Sequence, residues 1–346
     1  MRRLGTWWSV TAVAVAMLAP GGIGLVGDCS AAADAAVANA TTRPVQYMRF
    51  VDDGHSGGSL QTADVTFRNA AGVEVHLIGA VHIAESSYYK SLVKDFQSYD
   101  AVLYELVMPR DSAPPSPDGP QSDSALSDFQ RLLTNVLDLK FQLDAIDYTA
   151  PNFVHADLDK ETFEKMQAER GESIESIIFR QFMKGMQQPS DNSDADPRQE
   201  LHDAISLFTR PDGRRQLKVA LAQQLSSPDE DIQSLLGPGP SVLVTERNKA
   251  AIAVLAQQLD AGKKKLAIFY GAAHMPEMSD RLVAMGFAPV QTQWRVAWDL
   301  TIRPDEPSLA ESLLDQAADL IFGPPDEAAN KHAATRPSES DPGAFK

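Results

Sequence analysis

Apolar runs bounded by turn residues divide the chain into strand and helix candidates. Gln46 to Asp52 and Gln61 to Arg68 are strand-like, with Gly54-His55-Ser56-Gly57-Gly58 between them, which predicts a β-hairpin. His55 in that turn reads as solvent-exposed. Val73 to Val81, Ala101 to Leu106 and Asn152 to Asp157 are apolar without strict alternation, the pattern of strands buried on both faces. A helical period over about 85–98 joins the first two. A strand–helix–strand of this length predicts a right-handed parallel crossover, with both strands ending at one edge of the sheet. Ligands bind at that edge in open α/β sheets.

Pro109 to Asp128 is rich in Pro, Ser, Asp and Gly and reads as a surface loop, an insertion in preference to a flap. Leu126 to Leu143 carries an apolar stripe at helical spacing, and the pattern from Asp159 to Leu225 is helical, broken by the polar 188–194 segment. Asp159 is placed to cap a helix beginning at Lys160. Methionines in this region read as core before they read as an adaptable peptide groove. Ser241 to Leu259 predicts a helix with Ile252, Leu255 and Leu259 on one face, Asn248 in its centre, and Gly262 as the stop. A strand at Lys265 to Tyr270 and a helix at Ser279 to Met285 follow. An alternating strand at Gln291 to Leu300 and a helix opened by the capping box Ser308-Leu309-Ala310-Glu311 complete the pattern. The expected fold is α/β. It has a mostly parallel sheet core, an N-terminal hairpin and a helical insertion at about 159–237 between two βα halves, in one domain over 41–322. Residues 323–346, rich in Pro, Ala and Glu and including His332, read as a disordered tail.

Composition adds compartment and excludes partners. Net charge is −16, and no basic patch stands out, which argues against nucleic acid. Arg2 and Arg3, the apolar run Trp7 to Ala19 and the small residues Ser30 to Ala35 read as an export signal within 1–40, which places the mature protein in a periplasmic or secreted location. The run is short for a membrane span, and none is expected in the mature chain. Cys29 is the sole cysteine, so neither disulfides nor thiolate metal sites are expected.

The chemistry is carried by a heptad that occurs twice. Gly79-Ala80-Val81-His82-Ile83-Ala84-Glu85 and Gly271-Ala272-Ala273-His274-Met275-Pro276-Glu277 each follow a strand and precede a helix. The glycine permits a turn or a close approach. The histidine then sits at the mouth of the strand-to-helix loop, and the glutamate falls where a helix dipole favours a carboxylate. Strand and helix lengths bring Glu246, Arg247 and Asn248 to the level of His274, and the crossover brings Glu105 to the edge beside His82. His155 and Asp157 read first as a satisfied structural pair, and second as groups reaching the same edge.

His82, Glu105 and His274 are therefore candidate ligands of a divalent metal ion, with Mn, Co and Zn not distinguished. Glu105, Arg247 and Asn248 are candidate catalytic residues, and Glu85, Glu277, His155 and Asp157 are candidates to orient them. A metal-free version has one histidine as general base, oriented by Glu105. The paired G-x-x-H heptads, Tyr104-Glu105 and Glu246-Arg247-Asn248 resemble the TraB family, which includes the pheromone-shutdown and Tiki proteins and is distantly akin to the erythromycin esterases. The resemblance implies an α/β core with a helical insertion. It implies metal-dependent peptide or amide cleavage with a peptide or small-molecule substrate, the hallmark positions falling on His82, Glu105, His274 and Arg247. An esterase-like hydrolase without metal and a peptide-sequestering protein without turnover remain as alternatives. The sequence leaves the oligomeric state open.

Overall fold

The computed structural model describes residues 46–54, 57–117, 134, 136–170, 209–226, 241–301, 308–312 and 314. The export signal, Cys29, His55, the C-terminal tail with His332, and much of the helical insertion lie outside the described residues. In chain order the strands are β1 (Met48–Asp52), β2 (Gly58–Asn69), β3 (Glu74–Ala80), β4 (Ile83–Ala84), β5 (Ala101–Tyr104), β6 (Lys140–Phe141), β7 (Phe153–His155), β8 (Lys265–Gly271) and β9 (Phe287–Asp299). The helices are α1 (Ser86–Phe96), α2 (Gln142–Ala145), α3 (Lys160–Arg170), α4 (Gly213–Leu225), α5 (Arg247–Asp260) and α6 (Met275–Ala284). A π-helical turn, Val242–Glu246, leads into α5, and a 3-10 turn, Ala272–His274, leads into α6.

Seven strands form one mixed sheet. Its parallel part runs β3–β8–β5–β7. β2 pairs antiparallel with β3, and with β1 in the expected hairpin, while β9 lies antiparallel along β2. The crossover from β3 through α1 to β5 is present, with β8 lying between the two strands. The strands carrying both heptads, β3 and β8, are thus direct parallel neighbours in the register Gly79↔Tyr270 and Ala80↔Gly271.

Both faces of the parallel part are covered, which is why its strands lack alternation. Along β8, Ala267 and Phe269 pack toward α1 with Tyr88, Tyr89, Leu92 and Phe96. Ile268 and Tyr270 pack on the other face with Ala251 and Leu255 of α5 and Met278 and Leu282 of α6. Each fully buried Leu, Ile, Met or Phe side chain among these contributes about 1.5–3 kcal/mol of transfer free energy. α5 stops at Gly262, which adopts φ 83°, a left-handed conformation that suits glycine.

Several boundaries differ from the sequence reading. The stripe that predicts a helix through Leu143 is interrupted: Asp138 takes φ 51°, and the chain extends into β6 before the short α2. β6 pairs with β4 because residues 83–84 need partners for their extended backbone. Asp159 does cap α3, its carboxylate accepting the Thr162 N–H at 2.9 Å. Ser308 and Glu311 form the reciprocal capping box, with Ser308 N donating to Glu311 Oε2 at 2.8 Å and Glu311 N to Ser308 Oγ at 3.2 Å.

Candidate active site

The carboxyl-end edge of the parallel strands collects the charged groups. Glu105 follows β5 directly and is buried. Its Oε2 accepts the Gly271 N–H at 2.6 Å, and its Oε1 accepts from Arg247 Nη2 at 2.8 Å. Gly271 allows this approach, since a Cβ there would lie 3.3 Å from Glu105 Oε2 and 3.8 Å from His274 Cδ2. Gly79, its counterpart, is as crowded: a Cβ would meet the Tyr47 carbonyl at 3.3 Å and Ala272 Cβ at 3.4 Å. In neither heptad is a positive φ the reason for the glycine; close packing is.

Arg247, the first residue of α5, is held from two sides. Besides Glu105, it donates from Nε to Asp157 Oδ1 at 2.9 Å and from Nη2 to Asp157 Oδ2 at 2.5 Å. Asp157, just beyond β7, has a fully buried carboxylate. His155 and Asp157 therefore do not pair with each other: His155 Nε2 hydrogen-bonds the Leu106 carbonyl at 2.6 Å, and Asp157 joins the site through Arg247. With its fork engaged by two carboxylates, Arg247 in this state holds Glu105 rather than reaching toward a substrate oxyanion.

His274 stands beside this pair. Its Nε2 is 3.5 Å from Glu105 Oε1, and its Nδ1 is 2.7 Å from Asn248 Oδ1. Asn248 Nδ2 donates to the His274 carbonyl at 3.2 Å and to Glu277 Oε2 at 3.0 Å, and Glu277 is held by Arg281. The edge of the His274 ring also packs against Tyr270, whose hydroxyl donates to the Ala156 carbonyl. Asn248, which element lengths bring to the level of His274, thus joins both His274 and Glu277.

His82 reaches the same edge and interacts electrostatically with Glu105, Arg247 and His274. It is half-buried. Its backbone carbonyl accepts the Gln142 N–H at 2.8 Å through the β4–β6 pairing. The Gln142 carboxamide beside it donates to Tyr148 at 2.8 Å, while its Oε1 makes no well-formed hydrogen bond. Glu85 is drawn elsewhere: its carboxylate takes Lys218 Nζ of α4 at 3.3 Å, tying the helical insertion to the first heptad. The heptads lie on neighbouring strands one residue out of register, the first passing through β4 before α1 and the second through a 3-10 turn into α6, and they differ in the use of their glutamates.

Charge states follow from burial and neighbours. Burial alone would raise the Glu105 pKa. Arg247 above all, with His274, His82 and the Gly271 N–H, reverses this and holds it at about 2, so the group is ionised. Burial lowers the pKa of both His82 and His274, against the pull of Glu105, so both imidazoles are neutral near pH 7. Burial opposes the Arg247 charge, but Asp157 and Glu105 outweigh it and hold the pKa up.

Glu105 and His274 fit a divalent ion by chemistry, an anionic oxygen and a neutral imidazole. They fit by separation as well: two donors about 2.0–2.2 Å from one tetrahedral ion lie about 3.4 Å apart. The engaged Nδ1 of His274 is also what a ligating histidine requires. Among the described residues, however, no three His, Cys, Asp or Glu side chains are arranged to hold an ion together. His82 is near this pair without completing a ligand set.

Pattern reading missed Gln142, Lys218 and the clamp on Arg247. Gln142 carries no motif and arrives through a two-residue strand pairing. Asp157 was visible two residues beyond His155, but its partner was not. No family model matches the chain, and no curated protein or solved structure matches it. No described helix is long and apolar enough to cross a membrane.

Proposed function

We propose that this protein is an exported, metal-dependent hydrolase of the TraB/Tiki type that cleaves a peptide or amide bond. Glu105 and His274 would supply donors to the divalent ion, and His82, on the same edge, would have to shift to become the third. The observation that carries the reading is the facing pair: a neutral His274 nitrogen 3.5 Å from an ionised Glu105 oxygen, with its other nitrogen engaged by Asn248. A divalent ion bound there would polarise a carbonyl and lower the pKa of bound water to about 7. Glu105 supplies a fixed negative charge, because Arg247 keeps it ionised at any physiological pH. Asn248 fixes the His274 ring, and Arg247, anchored by Asp157, fixes the Glu105 carboxylate. The resemblance in the paired heptads supports the same class, and the N-terminal signal supports export.

A second reading has its own support. Arg247 already pairs with Glu105, which lessens the need of the carboxylate for an ion even though the same cation also serves Asp157. In that version a neutral histidine is the general base for water. The deciding measurement is metal content of purified protein together with hydrolysis of a peptide library, before and after exhaustive chelation. We expect bound metal, chelator-sensitive turnover, and loss of both in Glu105→Gln. Full activity after chelation would transfer the assignment to the metal-free hydrolase. Peptide binding without turnover in metal-loaded protein would transfer it to a sequestering protein.

A further inference from the structure

The Asn248 carboxamide has a defined orientation. Its Nδ2 faces two acceptors, the His274 carbonyl at 3.2 Å and Glu277 Oε2 at 3.0 Å, and its Oδ1 faces His274 Nδ1 at 2.7 Å. Turning the amide over would set its oxygen against a carbonyl and a carboxylate, three acceptors with no proton among them. Asn248 has no solvent exposure, so water does not relieve such a clash. Glu277 is in turn held by the Arg281 guanidinium, one turn on along α6, at 2.5 Å from Nη2 and 3.2 Å from Nε. The orientation therefore propagates inward from a partly exposed ion pair to a buried ring.

An amide oxygen facing Nδ1 requires the proton on Nδ1. We infer that Asn248 is a positioning residue that locks neutral His274 in its Nδ1–H tautomer and leaves Nε2, 3.5 Å from Glu105 Oε1, as the unprotonated nitrogen. This deepens the proposed hydrolase and rests on that reading for its purpose: Nε2 is the atom that binds an ion or takes a proton from water. The lock itself is a property of the apo chain. A carboxamide suits the task better than a carboxylate, because it selects the tautomer without adding a charge that would favour the imidazolium. The arrangement also separates the two heptads in role. The first heptad's Glu85 is bound to Lys218, so Glu277 alone of the two carries this function.

The test is a long-range proton–nitrogen correlation spectrum of the full, metal-free, 15N-labelled chain above neutral pH. The His274 signals are identified by their loss in His274→Gln. We expect a protonated Nδ1 and an unprotonated Nε2 in wild type. Asn248→Ala should lose that pattern, giving an Nε2–H or mixed pattern, and should weaken Zn²⁺ or Mn²⁺ binding by roughly 10–100-fold. An Nε2–H pattern in wild type overturns the inference without recourse to any variant, so a poorly folding Asn248→Ala does not obscure the result. An unchanged Nδ1–H pattern in folded Asn248→Ala overturns it as well. The spectrum needs neither turnover nor substrate, so absence of hydrolysis counts against the proposed function and leaves the tautomer result standing.

Discussion

At the scale of single residues, the most consequential group is Arg247. It is one cation serving two buried carboxylates, Glu105 and Asp157, with a side chain about as buried as theirs. Removing one partner from such a set leaves uncompensated charge in a poorly solvated place, which costs about 3–5 kcal/mol. Arg247→Ala should therefore lower stability by about that amount in denaturant titration, with the slope of the transition retained. Arg247→Lys should recover only part of the loss, because an ammonium cannot serve both carboxylates with a rigid fork. Equal stability of wild type and Arg247→Ala would mean that the two carboxylates are neutral or solvated. Arg247 was legible in the sequence as a candidate catalytic residue, and its contacts define it as the clamp on two carboxylates. The spacing of Arg247 and Glu105 along the chain carried no sign that Asp157 would close the clamp.

At the scale of elements, the two β–loop–α units meet because β8 inserts between β3 and β5. Adjacent parallel strands have little room at their ends, and the heptad glycines record this. A methyl group at Gly271 would press on Glu105 Oε2 at 3.3 Å, forcing a shift of a few tenths of an ångström on the hydrogen bond from the Gly271 N–H. Gly271→Ala should keep the fold and reduce metal affinity or turnover by about tenfold, and Gly271→Val should reduce it further. Calorimetric metal titration of the two variants checks this, and undiminished affinity in both would show that the carboxylate position is not critical. The repeated G-x-x-H pattern, its strand-before and helix-after context and the capping residues Asp159 and Ser308 were all readable locally. The end of the predicted helix near Leu143 was not. Its apolar stripe is serving two short elements, β6 and α2, separated from the preceding turn by Asp138.

At the scale of the whole molecule, the site couples stability to pH. His82 and His274 have folded-state pKa values below those of the unfolded chain, and so does Glu105. In each case the unfolded state binds more protons over the interval between the two values, so stability falls as pH falls. For the histidines the loss begins near the unfolded value of about 6.5. For Glu105 the stability present above the ordinary carboxylate range is lost as pH falls toward about 2. The melting temperature of chelated protein should therefore decline steadily below about pH 6.5, with a smaller decline in His274→Gln. A flat profile between neutrality and the carboxylate range would show that the imidazoles are not buried as neutral groups. An ion that binds the folded chain alone should raise the melting temperature in proportion to the logarithm of its concentration.

What the sequence determined by itself is what depends on neighbours along the chain: the hairpin, the strand–helix alternation, the caps, and the arrival of His82, Glu105, Asn248 and His274 at one sheet edge. These follow from periodicity and from the lengths of strands and helices, which are local quantities. Which groups then pair across that edge depends on strand order and on side-chain reach in three dimensions. The insertion of β8 between β3 and β5, the Glu105–Arg247–Asp157 clamp and the diversion of Glu85 to Lys218 are of this kind. Tertiary packing alone decided them, because a buried charge takes the partner that the fold brings within a few ångströms, however far away it lies along the chain.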